Sequence, residues 1–163
     1  MDCKGSNMPW RAGVTVEPYR HSILVHARQD EVFRYFTEPE AIVAWMGDEA
    51  TVDPEPGGVF LLRFEDRIVE GRYVEITPPH RLVIGWGRQG SASFPPHMSR
   101  LEVILTTEDE GTRVTIVHHG LPAEEQARHA LGWTYYLSRL GQVLSGQDVG
   151  AHRVPAELKQ GVE

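Results

Sequence analysis

A single cysteine, Cys3, stands among 163 residues. With no second thiol there is no internal disulfide, and a reducing, cytoplasmic location is the expected one. No apolar run approaches the roughly 20 residues of a bilayer span, so no membrane role is expected. Residues 1–7 lack the apolar core of a signal peptide. Positive charge is scarce: 16 Lys and Arg face 23 Asp and Glu, the formal net charge is −7, and the basic residues form no stripe. That argues against nucleic acid as a partner. Metal-ligand spacing is missing too. The eight histidines show no HxH or HExxH arrangement, there is no CxxC, and His118 and His119, adjacent on a predicted strand, point to opposite faces. No metal and no cofactor is expected. There is no nucleophile elbow or phosphate loop. The glycines of Gly85-Trp-Gly-Arg-Gln-Gly90 open no helix, so they are no dinucleotide fingerprint.

What is present is one long helix and many short strands. In residues 122–146, Ala130, Trp133, Leu137, Leu140 and Leu144 recur at steps of three or four, one stripe of an α-helix. Arg128, Tyr135, Arg139 and Gln142 fall on the other side. Pro122 suits the first turn, Glu124 and Glu125 its positive end, and Gly146 the stop. Gly132 and Gly141 sit inside this helix although each costs about 1 kcal/mol relative to alanine. Close packing on a sheet explains them, and so does room for a ligand beneath the helix.

Ahead of it, residues 14–27 read as a strand, 28–37 and 39–45 as short helices, and Asp53-Pro-Glu-Pro-Gly-Gly58 as a turn. Alternation then marks strands in which Phe60, Leu62 and Phe64 share a face, as do Leu82, Ile84 and Trp86, then Leu101, Val103 and Leu105, and last Val114, Ile116 and His118. Residues 89–97 read as a loop. The expected fold is α+β: about six antiparallel strands after two short helices, bent round one long C-terminal helix, with a cleft between helix and sheet where small ligands lodge. One domain is expected over residues 14–146, with loose tails at 1–13 and 147–163.

This pattern resembles the SRPBCC superfamily, the helix-grip fold of START and Bet v 1-like proteins. Within it the chain looks like the family named for the C-terminal domain of the activator of Hsp90 ATPase. The matching residues are Val32-Phe33 with residues 36–40 and Trp45, then Gly57-Gly58-Val59-Phe60. They continue through Gly71-Arg-Tyr73, Pro78-Pro79, Trp86, residues 111–115, His119-Gly120-Leu121-Pro122 and His129 with Gly132-Trp133. The resemblance implies a small-molecule binder with a hydrophobic cavity. Polyketide cyclases or aromatases, proteins that confer resistance by sequestering a toxic natural product, and a chaperone-partner module are the rival roles it brings. It also implies a homodimer, common in the family.

The expected ligand is a hydrophobic or aromatic small molecule. Trp45, Trp86 and Trp133, with Phe60 and Leu62, lie on apolar faces and serve either as core or as pocket wall. His118 shares an inward face, as a satisfied core histidine or as an acid or base. His129 lies one turn before Trp133, bonded to a nearby carbonyl or set over the cavity mouth. Tyr136 lies near the apolar stripe and either wets its tip or offers its hydroxyl to a ligand. Glu70 and Arg72 share parity with Ile68, Val74 and Ile76, which would turn one of them inward. No catalytic set is recognisable, which favours a binder over an enzyme.

Overall fold

A computed structural model describes residues 17–150. The expected tails lie outside that range except for residues 147–150. The chain forms β1 (Tyr19–Val25), two short helices α1 (Gln29–Arg34) and α2 (Pro39–Val43), strands β2 (Glu49–Val52), β3 (Val59–Arg63), β4 (Ile68–Thr77), β5 (Arg81–Trp86), β6 (Ser99–Glu108) and β7 (Gly111–His119), then α3 (Ala123–Leu144). The strands make one curved antiparallel sheet in the order β1-β7-β6-β5-β4-β3-β2. This is the expected α+β helix-grip architecture. The short β2 is an addition to the strands read from sequence. Among the described residues no helix is long and apolar enough to cross a membrane.

Alternation builds the core. Ile84 pairs with Leu101 and Leu101 with His118, so the three side chains form one row across the inner face. Leu82, Val103 and Ile116 form the next. Against these rows α3 lays Trp133, Tyr136, Leu137 and Leu140, all buried. Burial of such side chains contributes roughly 1.5–3 kcal/mol each. Two core side chains also fix the short helices, Tyr73 tying the end of α1 to the sheet and Trp45 tying the end of α2 to the end of α1. Tyr73 donates its hydroxyl to the Phe36 carbonyl at 2.8 Å, and Trp45 donates Nε1–H to the Tyr35 carbonyl at 3.0 Å. They satisfy carbonyls beyond the end of α1, where backbone acceptors lack helical partners.

Two sequence readings are corrected here. Arg139, placed on the outer side of α3, is buried. Its guanidinium donates to the carbonyls of Trp45 (3.1 Å), Ala44 (3.4 Å) and Gly150 (3.0 Å). It therefore caps the C-terminal end of α2, where carbonyls are orphaned and the helix dipole favours a cation. It also holds residues 149–150, read as the start of a loose tail. The second correction concerns Glu70 and Arg72, one of which was expected inward. Val69, Gly71 and Tyr73 are the inward set, and Arg72 is exposed. Arg72 donates to the Gly57 carbonyl, and Glu70 accepts from Gln89. The register of β4 against β5 shifts between Tyr73 and Glu75. Tyr73 pairs with Ile84 and Ile76 with Leu82, so inward parity is odd before the bulge and even after it. A bulge reverses parity because one extra residue turns the strand over.

The two glycines of α3 have different neighbours. A Cβ on Gly141 would meet Ile23 at 3.8 Å, so the helix backbone lies close on β1 there. Gly132 borders the cleft described below.

The sheet's sharpest close approach is Gly71 against Gly85. A Cβ at Gly71 would land on the Gly85 carbonyl oxygen. Gly71→Ala is therefore expected to abolish folding or cost about 4 kcal/mol or more. Gly90→Ala, at a φ of 81° with open space around it, should cost only about 1–2 kcal/mol of left-handed strain. Denaturant melts of both variants check this; comparable losses would refute the collision at Gly71.

Candidate functional site

The first half of α3 does not press flat on the sheet. Between it, the β3–β4 turn and the segment after β5 lies a narrow cleft with a cavity volume of about 50 Å3, set within about 510 Å3 of atom-free space that includes open solvent. Its apolar lining comes from Phe64, Val69, Trp86, Phe94, Trp133 and Met46. Its polar lining is Arg67, Arg88, Arg128, His129 and Tyr136. The aromatic rings touch one another: Trp86 and Trp133 centroids are 5.3 Å apart, Phe64 and Tyr136 5.7 Å, and Phe94 and His129 5.4 Å. Such a wall suits a flat apolar body.

Beneath the tryptophans runs a buried polar relay. The Trp133 indole donates to His118 Nδ1 at 3.1 Å. That makes Nδ1 the acceptor, so the ring proton of neutral His118 sits on Nε2. Nε2 lies 2.9 Å from Ser99 Oγ and donates to it, and Ser99 donates in turn to the Trp86 carbonyl at 2.8 Å. Both ring nitrogens are engaged, and His118 is wholly buried. Burial, reinforced by His129 and His119, pushes its pKa well down. This is a neutral structural histidine. It meets the cleft lining through Trp133, through the His129 ring, 5.1 Å away, and through the Trp86 ring, 5.8 Å away.

A second polar group fastens the cleft wall. Glu125, in the first turn of α3, is buried and accepts from Arg88 Nη2 at 2.8 Å. His129 Nδ1 lies 3.0 Å from the Glu125 backbone oxygen and 3.4 Å from its Oε1, and Arg128 approaches at 3.7 Å. Burial alone would raise the Glu125 carboxyl; interactions with His129 and Arg88 outweigh it and hold the group at about 2. By distance Arg88 makes the closer contact. Tyr136 has its pKa pushed up, by burial first, so its hydroxyl stays protonated.

Of the residues singled out from sequence, Trp86, His129, Trp133 and Tyr136 meet at this cleft. Phe60 and Leu62 point inward but sit deeper, Phe60 against Tyr73 and Trp86. Trp45 is wholly buried against Phe36, under the short helices. Glu70 and Arg72 lie on the outer face, away from the cleft. Sequence reasoning missed Arg67, Arg88, Arg128, Phe94 and Met46. Two signals were available. Arg88 continues the inward parity of Leu82, Ile84 and Trp86. Arg128, Gly132 and Tyr136 are spaced by four, one line along a helix. Phe94 gave none, because it is a buried aromatic within a stretch composed like a loop.

The relay carries a pH signature. Unfolded His118 takes up a proton near pH 6.5, whereas the folded ring does so only at much lower pH. Across that window the unfolded chain binds more protons, so stability is full above about 6.5 and falls below it. Glu125 acts lower: its contribution is present above about 4.3 and is lost as pH falls towards 2. Stepped-pH denaturant melts should show a loss of up to about 1.4 kcal/mol per pH unit from His118 between pH 6.5 and 5. A His118→Gln variant should be less stable at pH 7.5 and show a shallower slope below 6.5. Equal slopes would remove His118 as the cause.

The sequence profile of the family described as "Activator of Hsp90 ATPase homolog 1-like protein" matches residues 26–145. The human activator of 90 kDa heat shock protein ATPase homolog 1 is 27% identical over 108 residues, 66% of this chain and 30% of that protein. The chain thus matches under a third of that relative's length. Among solved structures, an AHSA1-like protein from Rhizobium etli is 38% identical, with a TM-score of 0.66 over 85% of this chain and 91% of its own. CalU16 from Micromonospora echinospora is 29% identical, with a TM-score of 0.62 over 77% and 73%. The chain, whose curved antiparallel sheet and long C-terminal helix match this assignment, belongs to the Activator of Hsp90 ATPase homolog 1-like family.

Proposed function

We propose that this domain binds an aromatic small molecule in the cleft between α3 and the sheet. The observation that carries the reading is the cleft itself. Trp86, Trp133, Phe64 and Phe94 offer ring faces, while a few polar groups converge on the same space. Apolar burial would supply most of the affinity, and the polar groups would orient the ligand.

Binding is favoured over proton-transfer chemistry by the state of the titratable groups. His118 has both ring nitrogens committed to the relay. Tyr136 is held protonated by burial. Glu125 is an ionised partner of Arg88, not a poised acid. None resembles a general base tuned near neutral pH.

A second reading follows from the human relative, whose name describes activation of a heat-shock-protein ATPase. A chaperone contact would use the outer surface and would not need an open cleft. The two readings therefore part on whether the cleft matters.

Gly132 provides the test, since it borders the cleft on the helix side. Gly132→Leu should occupy that space and remove the glycine cost of about 1 kcal/mol, so the variant should melt no lower than the parent. A panel of naphthalenes, biphenyls and flavonoid-like phenols, followed by NMR shifts, should perturb Trp86 and Trp133 in the parent. In the variant those shifts should vanish. Saturable shifts of equal size in both proteins would place binding elsewhere and sink the reading.

A further inference from the structure

Charge is distributed unevenly for so acidic a chain. Against a formal net charge of −7, the cleft gathers three arginines and a histidine, and no Asp or Glu is among the described residues that line it. The guanidiniums come from separate places: Arg67 from the β3–β4 turn, Arg88 from just after β5, and Arg128 from α3. Their side chains are only 12%, 6% and 17% exposed. Three cations held out of water around one space is costly unless anions are close.

Among the described residues, Asp66 and Glu125 approach these guanidiniums from behind the lining. Asp66 holds Arg67 at 2.9 Å from the turn. Glu125 lies behind the wall and is shared, with Arg88 at 2.8 Å, His129 Nδ1 at 3.4 Å and Arg128 at 3.7 Å. Arg67 is depressed by burial first, and Arg88 and Arg128 push it the same way despite Asp66. The Arg67 guanidinium therefore senses the other two across the cleft. Two are also held against rings: Arg67 is 5.0 Å from the Phe64 centroid and Arg88 5.5 Å from that of Phe94. Such stacking fixes a guanidinium plane and leaves its in-plane N–H groups to bond.

We infer that the ligand is an organic acid, an aromatic body on Trp86 and Trp133 whose carboxylate docks at Arg67 and Arg128. This rests on the cleft-binding reading and narrows it. Arginine suits a planar carboxylate because its fork can donate two parallel hydrogen bonds, which a lysine ammonium cannot. Arg88 is the support: its contact with Glu125 holds the segment after β5 onto α3. A monoanion fits better than a phosphate, because most of the remaining lining is apolar and Asp66 already offsets the charge of Arg67, so a dianion would bring more negative charge than the rim can match in so dry a space.

The test compares 2-naphthoate with 2-naphthamide, the same ring system with and without the charge. Titration calorimetry in roughly 0.05 M and 0.3 M salt would measure both, with NMR shifts at Trp86 and Trp133 locating them. The acid should bind at least about tenfold tighter than the amide at low salt, a preference that shrinks at high salt. Arg67→Met and Arg128→Met should each reduce the acid-to-amide ratio, and the double variant should bring it below about twofold. Thermal melts of the variants control for folding, and Arg67→Lys should recover only part of the ratio. Equal affinity for acid and amide in the parent, or a preference that survives the double variant, overturns the anion inference and leaves cleft binding standing. If neither compound moves Trp86 or Trp133, the cleft reading falls and the anion inference falls with it.

Discussion

The structure depends on a polar constraint inside an apolar core. Where α3 crosses the sheet, the Trp133 indole, the His118 ring, the Ser99 hydroxyl and the Trp86 carbonyl all lie out of water. A buried polar group without a partner costs about 1–3 kcal/mol. The chain Trp133 to His118 to Ser99 to Trp86 satisfies each in one direction, and only one tautomer of His118 permits that direction. The relay therefore fixes more than a histidine. It sets α3 against the β5–β6–β7 rows and orients both tryptophans whose faces line the cleft. A polar network earns its place in a core when every member is satisfied, and this one is.

Two buried charges on α3 extend the same logic. Glu125 near its start binds Arg88, drawing the segment after β5 onto the helix. Arg139, about four turns later, closes the open carbonyl end of α2. The helix is thus fastened to its surroundings at three points, the relay standing between the two charges. The cleft occupies the interval between the Glu125 anchor and the apolar contacts of Leu137 and Leu140. It survives because polar tethers hold the walls; an apolar fastening at Glu125 would draw α3 down onto the sheet.

Much of this was legible in the sequence. The 3.6-residue stripe of α3 and the twofold alternation of β3, β5, β6 and β7 gave the architecture, since apolar spacing is the direct imprint of burial. Trp86, Trp133, His129 and Tyr136 came out of those same faces. The failures have physical causes. In β4 the inward positions before the bulge are Val69, Gly71 and Tyr73. Gly71 adds no apolar signal, and Ile76 beyond the bulge belongs to the opposite parity, so Glu70 and Arg72 were drawn to the wrong side. Arg139 was read on the outer side of α3, Glu125 as serving the positive end of that helix, and Arg88 only as part of a glycine-containing stretch. Arg88 and Glu125 lie 37 residues apart and Arg139 and Trp45 lie 94 apart, and no local pattern announces those pairings.

The glycines of α3 show why position outranks composition. Gly132 and Gly141 are equal in helix cost, Gly132 standing between Leu131 and Trp133 and Gly141 between Leu140 and Gln142. At 141 the absent side chain lets the helix lie within van der Waals reach of Ile23 and Val25, so close packing offsets the cost. At 132 the helix faces the cleft between Arg128 and Tyr136, each a turn away on the same line. A side chain there would stand among the groups proposed to receive the ligand. One glycine brings the helix to the sheet; the other borders the space that the helix leaves open. Of the two sequence readings, close packing on the sheet describes Gly141, and room for a ligand beneath the helix is what is proposed for Gly132.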